Sequence, residues 1–183
     1  MANQPRKRLL LHTCCAPCAA PSLERALSDD FDVTLYFSNS NIFPEDEFHK
    51  RLQETRRLAE IFNVLIEEDE YDHALWLERV KGLEHEPEKG SRCEVCFDYS
   101  LHRTSELCQR YELDCFATTL TLSPHKVSRI IFAIGSRYPN FESLDFKKRG
   151  GFQRSIELCR DYDIYRQNYC GCEFSLRDKN DNR

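Results

Sequence analysis

The stretch LLLHTCCAPCAAPS, from Leu9 to Ser22, places Cys14, Cys15 and Cys18 within five positions at the end of an apolar run. Two further groups follow. Cys93 and Cys96 form a C-x-x-C, and Cys170 and Cys172 flank one glycine in C-G-C. Four thiolates can close a tetrahedral zinc site, or they can ligate an iron–sulfur cluster. The spacing leaves both open. The first two groups hold five thiols, one more than a closed site needs, which points to a second metal or an open position. A thiol at a helix N-terminus is biased towards thiolate by the peptide dipoles. The C-G-C pair can form a small strained disulfide, easily reduced and able to carry two electrons; alternatively it supplies further metal ligands.

The other cysteines read differently. Cys108 falls on an apolar helical stripe, Cys159 continues the series Phe152, Ile156, and Cys115 lies in a strand. A buried free cysteine behaves as a small hydrophobe, so these three are expected in the core.

Ten cysteines among 183 residues suit a reducing compartment, where clustered thiols bind metal or do redox chemistry. No stretch approaches the roughly 20 apolar residues of a membrane span. Arg6, Lys7 and Arg8 precede three leucines, a run shorter than the roughly 7–15 residues of a signal segment. The expected location is the cytoplasm. Hydrophobic residues make up 40% and charged residues 31%, the balance of a soluble globular chain. The length suits one domain over 1–183, with 177–183 as a flexible polar tail. The net charge of −5 is unevenly spread. Residues 1–123 carry 14 basic and 23 acidic side chains, whereas residues 124–183 carry 12 and 8. The basic end favours a phosphate-bearing partner, or is simply a solvated surface.

These thiols need elements to hold them. Arg8–Thr13 reads as a buried strand, Pro21–Leu27 as a helix and Val33–Phe37 as a strand. A long helix follows Pro44, with Phe48, Leu52, Thr55, Ala59 and Phe62 on one stripe. Val64–Ile66 reads as a strand and His73–Val80 as a helix. Cys93–Tyr111 is a helix with Phe97, Leu101, Thr104, Cys108 and Tyr111 on one face. Leu113–Leu120 is a strand. Ser123 and Pro124 look like the N-cap and first position of a helix reaching Arg137. Phe141–Phe146 is a further strand, and Gly150–Gly151 lead into a helix to Asp161. Alternating β and α implies an α/β, Rossmann-like three-layer fold, its mainly parallel sheet covered by helices. Such sheets bind ligands beyond the C-terminal ends of their strands, where Thr13–Cys18 falls; the expected metal site is there.

Five motifs carry a resemblance: H-x-C-C-A-P-C (His12–Cys18), N-x-N-I-x-P (Asn39–Pro44), R-C-x-x-C (Arg92–Cys96), T-T-L-x-x-S-P-H-K (Thr118–Lys126) and Y-R-Q-N-Y-C-G-C (Tyr165–Cys172). In this order they strongly resemble the cobalamin-independent epoxyqueuosine reductases of the QueH type. The resemblance implies reduction of the epoxide of epoxyqueuosine at the tRNA wobble base, the last step of queuosine synthesis. It implies a 4Fe–4S cluster and an additional iron, no cobalamin, tRNA as partner and an unidentified electron donor.

It also implies roles. Cys15, Cys93 and Cys96 are expected on the cluster, with Cys14 and Cys18 completing it or holding the second iron. Asp98 and Asp145 are candidates for an aspartate ligand, and Cys18 stands where such an aspartate would. Cys170 and Cys172 form the redox disulfide. His12, His125 and Tyr169 are the candidate proton donors; His12 equally reads as a partner of a metal ligand. Asn39, Asn41, Thr118, Thr119, His125 and Lys126 are expected at the substrate, as are Arg92, Arg166 and Gln167, which flank the cysteine motifs. Phe43, Tyr165 and Tyr169 can stack on an extruded base. Two other readings compete: a thiol–disulfide oxidoreductase using Cys170 and Cys172, and a zinc-stabilised RNA-binding module without catalysis.

Overall fold

The computed structural model describes residues 5–176; the expected tail at 177–183 lies outside the described residues. Strand β1 (Lys7–His12) leads into α1 (Ala16–Ser28), β2 (Phe31–Phe37), α2 (Glu45–Phe62) and β3 (Leu65–Glu68). Then come α3 (His73–Arg79), α4 (Ser91–Arg110) and β4 (Cys115–Thr118). A 3₁₀ turn over Thr119–Leu122 precedes α5 (Ser128–Gly135), and another over Lys148–Gly150 precedes α6 (Gly151–Asp161).

The four strands form one parallel sheet in the order β3-β2-β1-β4. Strand β1 is central, and Leu9, Leu10 and Leu11 are wholly buried. That continuous run is the signature of a strand covered on both faces. Alternation sends Leu9 and Leu11 to the α1 side, where they meet Leu23 and Ala26. Leu10 goes to the other face, among Phe97, Leu101 and Ile131 of α4 and α5. The fold is therefore a three-layer α/β arrangement, as expected.

Local expectations shift in five places. Helix α1 begins at Ala16, so Pro21 lies inside it. Strand β4 ends at Thr118 and tightens into a 3₁₀ turn. Ser123 and Pro124 do not open α5. Ser123 caps a turn instead, its Oγ accepting from the His125 N–H at 3.3 Å, and the helix starts five residues later. Phe141–Phe146 makes one bridge, Phe116 to Phe141, rather than a strand. Tyr111 is the C-cap of α4 and is exposed.

Cys108, Cys115 and Cys159 are buried, as read from the sequence. Phe152 and Ile156 are exposed, because α6 turns Ser155, Leu158 and Cys159 inward instead.

Candidate active site

The site lies where the strand order reverses, at the C-terminal ends of β1 and β4, the usual ligand crevice of such sheets. Cys15 is the N-cap of α1, with extended backbone (φ −174°), and its carbonyl accepts from Cys18 and Ala19. The cap throws three thiols together. The ligand atoms of Cys14, Cys15 and Cys18 all lie within 4.8 Å of one another. Cys14 Sγ is 3.8 Å from Cys15 Sγ. Hydrogen bonds from Cys14 and Cys18 hold the buried Cys15 thiol well below its ordinary value, aided by Gln167 and the nearby Arg51 guanidinium. The contact with Cys15, with burial, pushes Cys14 up, and the contacts with Cys14 and Cys15 push Cys18 well up. One thiolate shared by three sulfurs is a ready soft donor set.

Residues around the triad hold it from behind. Thr119 Oγ1 accepts from the Cys14 amide at 3.2 Å and donates to Cys14 Sγ at 3.5 Å. His12 is wholly buried. Its Nδ1 meets Thr118 Oγ1 at 2.9 Å and its Nε2 meets the Ser38 carbonyl at 3.2 Å. A carbonyl can only accept, so Nε2 carries a hydrogen. Burial pushes the ring's pKa down, which favours the neutral imidazole with Nδ1 accepting from Thr118. Ser38 in turn donates to Asp69 at 2.6 Å, and Asp69 is clasped by Arg103 from α4. Asn39, also buried, donates to the Thr13 carbonyl at 2.8 Å.

The C-G-C segment closes over this floor. Arg51, buried within α2, pairs with Glu47 at 2.7 Å and donates to the Cys170 carbonyl at 2.9 Å. Its guanidinium also lies against the Tyr169 ring. The Phe43 amide donates to the Gly171 carbonyl at 2.9 Å. Gly171 has φ +154°, and a Cβ there would stand 3.1 Å from Asn41 Nδ2 and 3.3 Å from Ile42 Cγ1. No other residue fits between the two cysteines without displacing that wall.

A cavity of about 510 Å³ opens beside the segment. Cys18, His125, Lys126, Arg166, Gln167 and Cys170 line it, and Tyr169 and Phe152 flank them. A narrower crevice brings Cys14 and Cys96 to the same wall, with Asn39, Asn41, Lys126 and Cys170. Burial would lower the Lys126 ammonium, but the charge on the surrounding cysteine sulfurs outweighs it and raises its pKa.

The whole of this machinery falls within residues 9–178, the span that matches the family described as epoxyqueuosine reductase QueH. The Streptococcus pyogenes serotype M1 epoxyqueuosine reductase QueH is 43% identical, covering 94% of this chain and 71% of its own. The Acinetobacter baylyi protein of that name is 38% identical, covering 94% and 82%. The Thermotoga maritima one is 33% identical, covering 93% and 91%.

The chain belongs to the epoxyqueuosine reductase QueH family. It is therefore an oxidoreductase.

Against that QueH frame, the sequence-predicted residues divide. Cys14, Cys15, Cys18, Cys96, Cys170, Asn41, Lys126, His125, Arg166, Gln167 and Tyr169 converge on the cavity and its crevice. Cys93 sits one turn before Cys96 on α4 and receives the Lys89 amide at 3.3 Å. Burial pushes both thiols up. Cys172 is buried with Trp76, Val80 and Tyr99.

Four residues expected at the substrate or the proton are instead behind the wall. His12, Thr118 and Thr119 are buried in the bonds described. Arg92 is buried too, its Nη1 donating to the carbonyls of Leu83, Glu84 and Glu86. Asp98 bonds the Tyr138 hydroxyl, and Asp145 bonds Ser128; neither joins the thiol group. Among the stacking candidates, Tyr169 donates to the Phe43 carbonyl and Tyr165 to Glu47.

Sequence reasoning missed Arg51, Asp69 and Arg103. Arg51 had a visible signal: it falls between Phe48 and Thr55 on the apolar stripe of α2, where a charge is out of place. No helix among the described residues is long and apolar enough to cross a membrane.

Proposed function

We propose that this chain reduces the epoxide of epoxyqueuosine at the wobble position of tRNA, with Cys170 and Cys172 supplying the electrons. The observation that carries the reading is one cavity with both Cys18 of the triad and Cys170 of C-G-C in its wall. Both C–O bonds of the epoxide break and an alkene forms. Two electrons and two protons enter, and oxygen leaves as water. Two thiols that become one disulfide supply that amount, and an external reductant then restores the dithiol.

A thiolate-bound metal fits the donor set. Cys14, Cys15 and Cys18 would hold it from α1, and Cys96 and Cys93 from α4, since Cys14 and Cys96 share a crevice. A 4Fe–4S cluster with an adjacent iron supplies one-electron transfer and a Lewis acid for the epoxide oxygen when bound. In this reading His125 and Lys126, which line the cavity, pass the protons, and Tyr169, whose hydroxyl donates to the Phe43 carbonyl, stands beside them. His12, neutral and bonded at both nitrogens, fixes the floor under Cys14. Asn41, Arg166 and Gln167 bind the sugar-like hydroxyls, and the aromatic wall stacks the base. The reading places the enzyme in the cytoplasm with its tRNA.

The test is anaerobic purification, metal analysis and mass spectrometry of tRNA nucleosides. About four iron and four sulfide per chain are expected for a cluster on four Cys thiolates, with conversion of epoxyqueuosine to queuosine. One zinc without sulfide, unchanged by reconstitution and without conversion, would overturn the reading.

A further inference from the structure

The modified base is a small part of a tRNA, and the rest must dock outside the cavity. We propose that the anticodon arm docks its phosphates on the loop Ser123–Lys126 at the rim of the cavity and on the turn Lys147–Gly150 bonded to that loop. This rests on the proposed tRNA substrate and names the surface that receives it.

Charge comes first. Between Ser123 and Arg154 the chain carries seven lysines and arginines and two carboxylates. Both carboxylates are occupied: Glu142 pairs with Lys7 at 2.6 Å, and Asp145 accepts from Ser128 and the Lys147 amide. Lys126, Lys147, Lys148 and Arg166 have no ion-pair partner among the described residues. Cations elsewhere are commonly neutralised, as with Arg56–Glu68 and Arg103–Asp69; within the stretch Arg154 pairs with Glu24, Arg149 with Asp29 at 3.4 Å and Arg137 with Asp98 at 3.7 Å. A chain with net charge −5 that leaves these cations open offers them to an external anion.

Placement comes second. Lys147 Nζ donates to the Lys126 carbonyl, locking the turn to the loop. Lys126 and His125 line the cavity, and so does Phe152, two residues beyond the turn. The basic surface is thus continuous with the rim.

Backbone geometry comes third. Arg149 and Gly150 are both left-handed, at φ +59° and +75°. A Cβ on Gly151 would sit 1.9 Å from the Phe146 carbonyl. The turn is pressed flat against its base, so Lys148 and Arg149 stand exposed at the tip. An exposed aromatic beside open cations and a nucleoside-sized cavity suits an RNA whose target base leaves the stack.

The test compares tRNA binding and turnover by the holoenzyme and two variants. Lys148→Gln with Arg149→Gly removes two charges while keeping the turn, because glycine takes the left-handed conformation freely; Arg149 meets Asp29 at 3.4 Å in an exposed pair, weak enough for a phosphate to displace. Arg110→Gln removes an exposed charge at the far end of the sheet, next to the start of β4. The double variant should bind tRNA on the order of tenfold more weakly. Its slope of log Kd against log salt should fall by about 1.5, roughly 0.7–0.9 per phosphate contact. KM should rise with kcat at saturating tRNA retained, and Arg110→Gln should match the wild type. An unchanged slope and KM, or an equal effect from Arg110→Gln, would overturn the surface. If the double variant shows the slope difference while the wild type leaves epoxyqueuosine unreduced, the surface stands and the catalytic reading falls.

Discussion

Ser155 donates a 2.6 Å hydrogen bond to the carbonyl of Pro17, the acceptor that Pro21 leaves without a helical donor. A proline four residues on has no N–H to give, and the Pro17 carbonyl is buried. Helix α6 supplies the missing hydrogen from across the layer, fixing the helix that carries Cys15 and Cys18. Ser155→Ala should therefore cost about 1–3 kcal/mol, the penalty for a buried unsatisfied acceptor. Thermal unfolding should fall by roughly 2–4 °C per kcal/mol at this size. Pro21→Ala restores the helical donor, so Pro21→Ala with Ser155→Ala should lose less than Ser155→Ala alone. If the two losses simply add, the carbonyl is not the link.

Arg51 joins two parts that are far apart in sequence. It pairs with Glu47 in α2 and holds the Cys170 carbonyl, 119 residues away. Arg51→Met leaves Glu47 nearly buried without its cation, a change that costs about 3–5 kcal/mol. Glu47→Gln added to it should recover part of that loss. The C-G-C segment should stay loosened in both variants. Alkylation of Cys170, followed by peptide mass spectrometry, should accelerate several-fold relative to the wild type. Equal rates would show that the Phe43–Gly171 bond holds the segment unaided.

Thr119 offers a finer probe of the thiol floor, because it bonds Cys14 at both its amide and its sulfur. Hydrogen bonds to ligand sulfur stabilise the reduced, more negative state of an iron–sulfur centre. Thr119→Val should keep the iron and sulfide content yet lower the midpoint potential, while Thr119→Ser should restore it. A redox titration followed by electron paramagnetic resonance reads this. An unchanged potential in Thr119→Val would mean that Cys14 is not a ligand of the titrating centre.

The layers of this protein were legible because they follow short-range rules. Leu9–Leu11 declared a strand buried on both faces, and Phe48, Leu52, Thr55 and Ala59 declared the inner face of α2. The motif-bearing thiols were legible by spacing. What stayed hidden depends on long-range partners. Pro21 reads as a helix start until Ser155 is known to satisfy Pro17. Ser123–Pro124 reads as a cap and first turn, but the Ser123 hydroxyl bonds His125 inside a turn. His12 and Arg92 are chemically able side chains beside cysteines; only the fold reveals that carbonyls and a threonine already occupy them.

The salt link beneath the site gives a prediction in pH. Burial alone would raise the Asp69 carboxyl, but bonds from Arg103 and Ser38 outweigh it and hold its pKa below 3.8. A carboxylate depressed on folding contributes stability that is full above its unfolded value. That contribution is lost as pH falls through the folded value. Asp69→Asn removes the charge and cannot titrate. The stability gap between wild type and Asp69→Asn should therefore be constant from neutral pH down to about pH 4. Below that it should shrink, as the wild type takes up the proton that the pair had excluded. Because Ser38 bonds both Asp69 and, through its carbonyl, His12, the variant should also loosen His12. The imidazole nitrogen signals in NMR should then lose their single neutral tautomer at neutral pH. Urea unfolding across pH 3–7 gives the first half of this prediction, and a gap independent of pH throughout would remove Asp69 from the acid response.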